Sequence, residues 1–280
     1  MLKKYKNYII LFYLSVVGCM AVAIFYDLQI DIKLNDPTNP FAVWFYNTGE
    51  IPGRLICPIA GAVLYYLSES KFGKPVGFCI TMGGSAYLGY YIGHHFFKDE
   101  NNLIFGIVYG IGCGVIILLA GRYITVPDSM KKPLVVLAVA GIAVMFLQLG
   151  AIEGLKYLWG RVRFRDLLVD GSYDRFTPWY HPNGINGNKS FPSGHTAGAG
   201  MSYLAMLLPA CSKKAREHTA ACFVIPFLYT SIVAYTRLVM GAHYLSDVTV
   251  GGAISFTLVI ITLTIIEKSK QVSPHNNFNS

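Results

Sequence analysis

The chain has 280 residues, 54% of them hydrophobic and 14% charged, and a formal net charge of +8. A soluble domain carries roughly 25% charged residues, so this composition excludes an ordinary water-soluble fold. The basic residues sit in short loops rather than in one patch, which argues against a nucleic-acid surface and fits the charge bias that orients membrane helices.

In chain order, the apolar residues form long blocks rather than a helical stripe or a strand alternation. This predicts an all-α, polytopic membrane helical bundle. Eight transmembrane helices are expected, near Tyr8–Tyr26, Ile51–Leu67, Val76–His94, Leu103–Tyr123, Leu134–Ile152, Thr196–Pro209, Thr219–Tyr235 and Val248–Ile266. The first follows Met1-Leu-Lys-Lys-Tyr-Lys with no small-residue cleavage site and is long enough to span. It therefore reads as an uncleaved helix rather than a secretory signal. Residues 1–270 are expected to form a single transmembrane domain, and 271–280 a polar C-terminal tail.

With eight spans, Lys3, Lys4, Lys6, Lys71, Lys74, Arg122, Lys131, Lys132, Lys213, Lys214, Arg216, Lys268 and Lys270 fall on one side. That side is expected to be cytoplasmic, with both termini on it. The stretches Asp27–Glu50, Glu153–His195 and Arg237–Asp247 fall on the other. There Arg161, Arg163, Arg165 and Arg175 run against the bias and need anionic partners. The cysteines lie in or at the end of apolar blocks, with neither zinc-site nor disulfide spacing, and read as packing residues.

Three clusters on that second side carry the chemistry. The first, Lys156-Tyr-Leu-Trp-Gly-Arg161-Val-Arg163-Phe-Arg165, leaves the fifth span. The second is Phe191-Pro-Ser193-Gly194-His195-Thr196, where a hydroxyl, a glycine and an imidazole meet a helix start whose free N–H groups favour anions. The third is Thr236-Arg237-Leu-Val-Met-Gly-Ala-His243-Tyr-Leu-Ser-Asp247, in which a helical spacing puts His243 and Asp247 on one face. Each has a plainer reading alone: lipid-headgroup contact for the bases, turn chemistry for Pro-Ser-Gly, and a helix cap for Asp247.

Together the clusters resemble the type 2 phosphatidic acid phosphatase and vanadium haloperoxidase superfamily, in its membrane lipid phosphatase branch. The pattern is Lys-x6-Arg-Pro, then Pro-Ser-Gly-His, then Ser-Arg-x5-His-x3-Asp. Here Phe164 stands for the proline and Thr236 for the serine, neither of which carries the chemistry. The resemblance implies that His243 is the nucleophile, forming a phosphohistidine, and that Asp247 holds its ring. It implies that His195 is the general acid and then the base. Lys156, Arg163 and Arg237 would clamp the phosphoryl oxygens, with Ser193 and the Gly194 amide completing the anion hole. The family spacing selects Arg163 rather than Arg161 or Arg165. The reaction it implies needs neither metal nor cofactor. A six-helix phosphatase core would carry an extra helix pair, either the first and second spans or the third and fourth.

Asp166, Asp170 and Asp174 read as partners of the loop arginines, with Gly171 interrupting any helix, and adjacent His94 and His95 diverge on a helix. The aromatic Phe176–Pro182 segment suits either a membrane-surface anchor or a lid. The expected function is hydrolysis of a lipid phosphate or diphosphate at the outer face of a bacterial-type plasma membrane. The candidate substrates are an undecaprenyl-type isoprenoid diphosphate, phosphatidylglycerol phosphate and phosphatidic acid. The expected partners are this lipid and the bilayer, without nucleic acid. The alternatives are lipid-linked phosphotransfer by the same site, or a non-catalytic lipid-binding or transport protein.

Overall fold

The computed structural model describes residues 1–96 and 102–272. Its helices are α1 (Leu2–Leu34), α2 (Pro40–Thr48), α3 (Ile51–Arg54), α4 (Ile56–Leu67), α5 (Gly73–Phe96), α6 (Asn102–Gly121), α7 (Asp128–Trp159) and α8 (Phe164–Asp170). After a long loop come α9 (Gly194–Gly200), which runs into a 3₁₀ segment (Met201–Ala210), then α10 (Lys213–Glu217), α11 (Ala221–Val239) and α12 (Leu245–Val272). No strand occurs among the described residues. The protein is an all-helical membrane protein, and each expected apolar segment falls on helix. By length and composition α1, α7, α11 and α12 hold stretches able to cross a membrane, and α6 has a shorter apolar stretch, Gly106–Gly121. The tail expected at 271–280 is helical through Val272, and beyond that it lies outside the described residues.

Local sequence explains the boundaries that matter for the site. Gly160, at φ 52°, ends α7 in the left-handed conformation that glycine adopts without a Cβ penalty. Gly171, at φ 70°, does the same for α8, as the sequence predicts. Ser193 caps α9, its Oγ accepting from the Thr196 N–H at 3.3 Å. The first helix departs from expectation. It continues past Tyr26 to Leu34, so Asp27 and Asp31 lie on helix and are buried rather than in an outer loop. The cause is a buried acceptor role for Asp27, described below.

The main core joins α1, α7, the 3₁₀ segment, α11 and α12 around Phe12, Val144, Met201, Tyr203, Phe223 and Phe256. Phe12 stacks on Phe256 with ring centroids 3.8 Å apart. The helix pair α5–α6 packs on itself and on α4. Large apolar side chains such as Leu14, Phe25, Ile104, Ile116 and Phe146 stay exposed on α1, α6 and α7, which is the surface a bilayer covers. The bundle has two distinct ends. The Leu2 N–H meets Glu267 Oε2 at 3.1 Å and Lys4 Nζ meets the Arg216 carbonyl at 3.5 Å at one end. At the other gather the end of α7 and the starts of α9 and α12, where the Ser193 N–H bonds the Asp247 carbonyl at 2.9 Å.

Helices α5 and α6 approach through glycines, as small residues permit in membrane proteins. A Cβ built on Gly89 would stand 2.0 Å from the Gly106 carbonyl oxygen, whereas one on Gly112 would have nothing within 4 Å. Gly89→Leu should lower stability in detergent by about 1–3 kcal/mol, the range for overpacking. Gly112→Leu, on the open face, should leave it unchanged. Thermal unfolding of the two purified variants checks this.

Candidate active site

The site starts from a charge with nowhere to go. Arg237, in the last turn of α11, is fully buried, and its Nε and both Nη atoms have no hydrogen-bond partner. Its guanidinium lies over the Tyr46 ring at 5.0 Å from the centroid. Burying a cation without an acceptor is costly, so a group of this kind calls for an anion. Arg163, the residue before α8, also has a buried Nε without a partner. Lys156, near the end of α7, bonds Glu153 Oε1 at 2.6 Å, and its Nζ lies 3.0 Å from where a Gly194 Cβ would be. Glycine at 194 thus leaves room for the ammonium beside the start of α9. Ser193 is buried, and its Oγ accepts from Thr196 Oγ1 at 3.1 Å.

His243 lies in the turn between α11 and α12 and is buried. Its Nδ1 meets the Ser190 carbonyl at 2.7 Å, and Asp247 Oδ2 stands 3.6 Å away. A carbonyl can only accept, so Nδ1 carries the proton and Nε2 keeps its lone pair. Burial pulls the His243 pKa down to about 4 against the opposing influence of Asp247, which keeps the ring neutral. Asp247 shares the ring's Nδ1 side but spends its hydrogen bonds elsewhere. Its Oδ2 accepts from Ser190 Oγ at 2.5 Å and the Tyr244 N–H at 3.1 Å, and its Oδ1 from Arg161 at 2.7 Å.

Arg161 is the satisfied counterpart of Arg237. It is fully buried and donates to Asp247, to Ser246 Oγ at 2.8 Å, to Asp27 Oδ2 at 2.9 Å and to the Thr177 carbonyl at 2.8 Å. The Tyr244 ring covers it at 4.1 Å. It is therefore no spare neighbour of Arg163 but the cation that joins α1 to α12. Arg165 is partly exposed, 3.8 Å from Asp166, and Arg175 pairs with Asp170, while Asp174 accepts from Ser172. The Phe176–Pro182 segment is fastened at its base, with Phe176 against Tyr244 and the Trp179 carbonyl accepting from Trp159. His94 and His95 diverge as expected, His94 toward Tyr90 and His95 toward Tyr91, Tyr46 and His195.

His195, the second residue of α9, sends Nδ1 to Glu50 Oε1 at 3.0 Å, and its Nε2 is buried with no partner. Burial lowers its pKa, and Glu50 opposes that. Burial alone would raise the Glu50 carboxyl, but His195 and Arg54 hold it well below the usual carboxylate range. The structure thus gathers Lys156, Arg163, Ser193, Gly194, His195, Arg237, His243 and Asp247 at one end of the bundle. Sequence reasoning missed Asp27, Tyr46, Glu50 and the Ser190 carbonyl. Only Asp27 carried a signal, as an acid four residues from another at the end of an apolar block.

Residues 133–271 match the PAP2 superfamily. Phosphatidylglycerophosphatase B of Bacillus subtilis (strain 168) is 28% identical over 152 residues, covering 51% of this chain and 71% of that relative. No solved structure matches. The matched stretch holds all three motif clusters and leaves Asp27, Tyr46 and Glu50 outside it. Through residues 133–271, with their Lys156/Arg163, Ser193–His195 and Arg237/His243/Asp247 clusters, the chain belongs to the PAP2, or type 2 phosphatidic acid phosphatase, superfamily.

Proposed function

We infer that this protein is a lipid phosphatase that hydrolyses a phosphate or diphosphate ester through a phosphohistidine, without a metal ion. The observation that carries the reading is Arg237, a buried guanidinium with every donor unpartnered, packed on the same Tyr46 ring as His195. His243 Nε2, with its lone pair free, attacks phosphorus as the bond to the leaving oxygen breaks. Ser190 and Asp247 keep the Nδ1 proton in place and stabilise the charge that forms on the ring. His195 gives its Nε2 proton to the leaving oxygen. It then takes one from the water that attacks phosphorus and releases His243. Arg237, Arg163, Lys156 and the Gly194 amide hold the phosphoryl oxygens, with charge-assisted bonds that strengthen as the transition state forms.

Three fixed cations supply the charge that a metal ion supplies in other phosphatases. Among the described residues, no group of three or more His, Cys, Asp or Glu side chains is arranged to hold one. The lipid assignment rests on the position of the site at helix ends beside bilayer-facing surface, with Trp159, Trp179 and Tyr180 nearby. Among the candidate lipids, the name of the Bacillus subtilis relative favours phosphatidylglycerol phosphate. The orientation rests on charge. Lys4 and Arg216 lie at the end opposite the site, with Lys213 and Lys214 beside Arg216, so the site faces away from the cytoplasm.

His243→Ala should abolish phosphate release from lipid phosphates in detergent while leaving the purified protein's unfolding temperature close to that of the wild type. Arg237→Lys keeps a charge but loses the planar fork, and should cost about a hundredfold in kcat/KM. Near-wild-type turnover by either variant would contradict the assignment. A cysteine placed in the Gly184–Asn188 loop should react with a membrane-impermeant thiol reagent in intact cells, and one at Ser212 should not. Reversed labelling would overturn the orientation. Activity should survive excess EDTA, and its loss would refute the metal-free mechanism.

A further inference from the structure

We propose that Glu50 is the positioning residue of His195, holding its Nδ1 and stabilising the protonated ring that releases the leaving alcohol. This role rests on the reaction assigned above. Glu50 immediately precedes the short helix α3, far along the chain from the motif clusters and outside the stretch that matches the family. Its Oε1 is 3.0 Å from His195 Nδ1 and its Oε2 is 2.5 Å from Arg54 Nη2. Arg54 in turn lies over Tyr91 at 4.0 Å and Tyr87 at 4.6 Å, so the carboxylate is braced from α5.

The backbone is shaped for this contact. A Cβ on Gly198 would stand 3.1 Å from Glu50 Cγ, and one on Gly53 would stand 2.4 Å from the Gly198 carbonyl oxygen. Two glycines therefore let α3 approach α9 and bring the carboxylate against the imidazole. With Nδ1 engaged, Nε2 is the ring atom left for chemistry, and it is buried without a protein partner. The arrangement mirrors the other histidine, which has Asp247 on its Nδ1 side.

The charge balance around His195 gives the contact its consequence. The groups facing it are Glu50 and Arg54 from α3, Tyr46 from α2 at 5.7 Å between rings and His95 from α5 at 6.3 Å. Arg237 from α11 and His243 also act on it. Burial and both arginines disfavour the imidazolium, and the carboxylate of Glu50 opposes them. In the first step the Nε2 proton passes to the leaving oxygen as its bond to phosphorus breaks. In the second, Nε2 takes a proton from the attacking water as the bond from phosphorus to His243 breaks. Glu50 stays a carboxylate throughout. A leaving group that departs as a stable anion needs no such proton.

The test compares kcat/KM for dioleoyl phosphatidate, whose leaving group is an alkoxide, with that for p-nitrophenyl phosphate, whose leaving group is a stable phenolate. The purified full chain in detergent is used. Glu50→Gln should lower phosphatidate kcat/KM about tenfold or more at pH 7.5, within the range of general acid catalysis. It should change the p-nitrophenyl phosphate value by less than about threefold, the same acid catalysis being unneeded there. The alkaline limb of the phosphatidate profile should move to lower pH, because losing the carboxylate makes the imidazolium easier to deprotonate. Equal losses on both substrates with an unmoved limb would reduce Glu50 to a structural ion pair and overturn the proposal. If Glu50→Gln does not fold, Glu50→Asp carries the test. It keeps the charge and the Arg54 partner, and should show a smaller but still substrate-selective loss with the limb in place, whereas an unselective loss would again overturn the proposal. His195→Ala separates the two failures. If it discriminates between the leaving groups and the Glu50 variants do not, the Glu50 role falls. If it does not discriminate, the assigned reaction falls and takes the proposal with it.

Discussion

The site depends on the ion pairs that Arg161 makes with Asp27 and Asp247 in the interior. Isolated buried charges are expensive, and a buried pair repays that cost only when its remaining donors and acceptors are also met. Here they are. The guanidinium reaches two carboxylates, a hydroxyl and a carbonyl, and Asp27 also accepts from the Ser246 N–H at 3.0 Å. The pairs tie the first helix to the start of the last and so fix the carboxylate behind His243. Taking away Arg161 would leave two buried acids without their counter-charge, and the turn that carries His243 would lose its tie to the first helix.

Against that saturated arginine stand Arg237 and Arg163, to which the proposed function gives the phosphate. Arg161 and Arg237 are buried and Arg163 is half-buried, but Arg237 and Arg163 keep buried donors unspent. Burial strengthens their pull on an anion because little water competes with it. The same burial keeps His243 neutral, so in the proposed reaction one physical condition serves both the clamp and the nucleophile. The loop around Gly160 and Ser190 supplies the remaining geometry through backbone. The Ser190 N–H bonds the Arg161 carbonyl at 3.0 Å, while the Ser190 carbonyl faces His243.

Much of this was legible in the sequence because the motif residues come in short runs with fixed spacing, and the apolar blocks mark helices without help from tertiary contacts. What escaped was of two kinds. Backbone acceptors such as Ser190 have no side-chain signature. Partners that arrive from far along the chain, such as Asp27 at Ser246 across 219 positions and Glu50 at His195, obey no local spacing. Arg161 shows the limit most clearly. Two residues from Arg163 and chemically identical to it, it differs only in what the rest of the fold brings to it.

The central claim is that His243 becomes covalently phosphorylated. It is most directly tested in the His195→Ala variant with a phosphate-labelled p-nitrophenyl ester, whose first step needs no acid while the second still needs a base. Quenching at alkaline pH and mapping the peptides should find an acid-labile, alkali-stable phosphate on the peptide containing His243. Turnover without such a label, or a label on any other residue, would contradict the account.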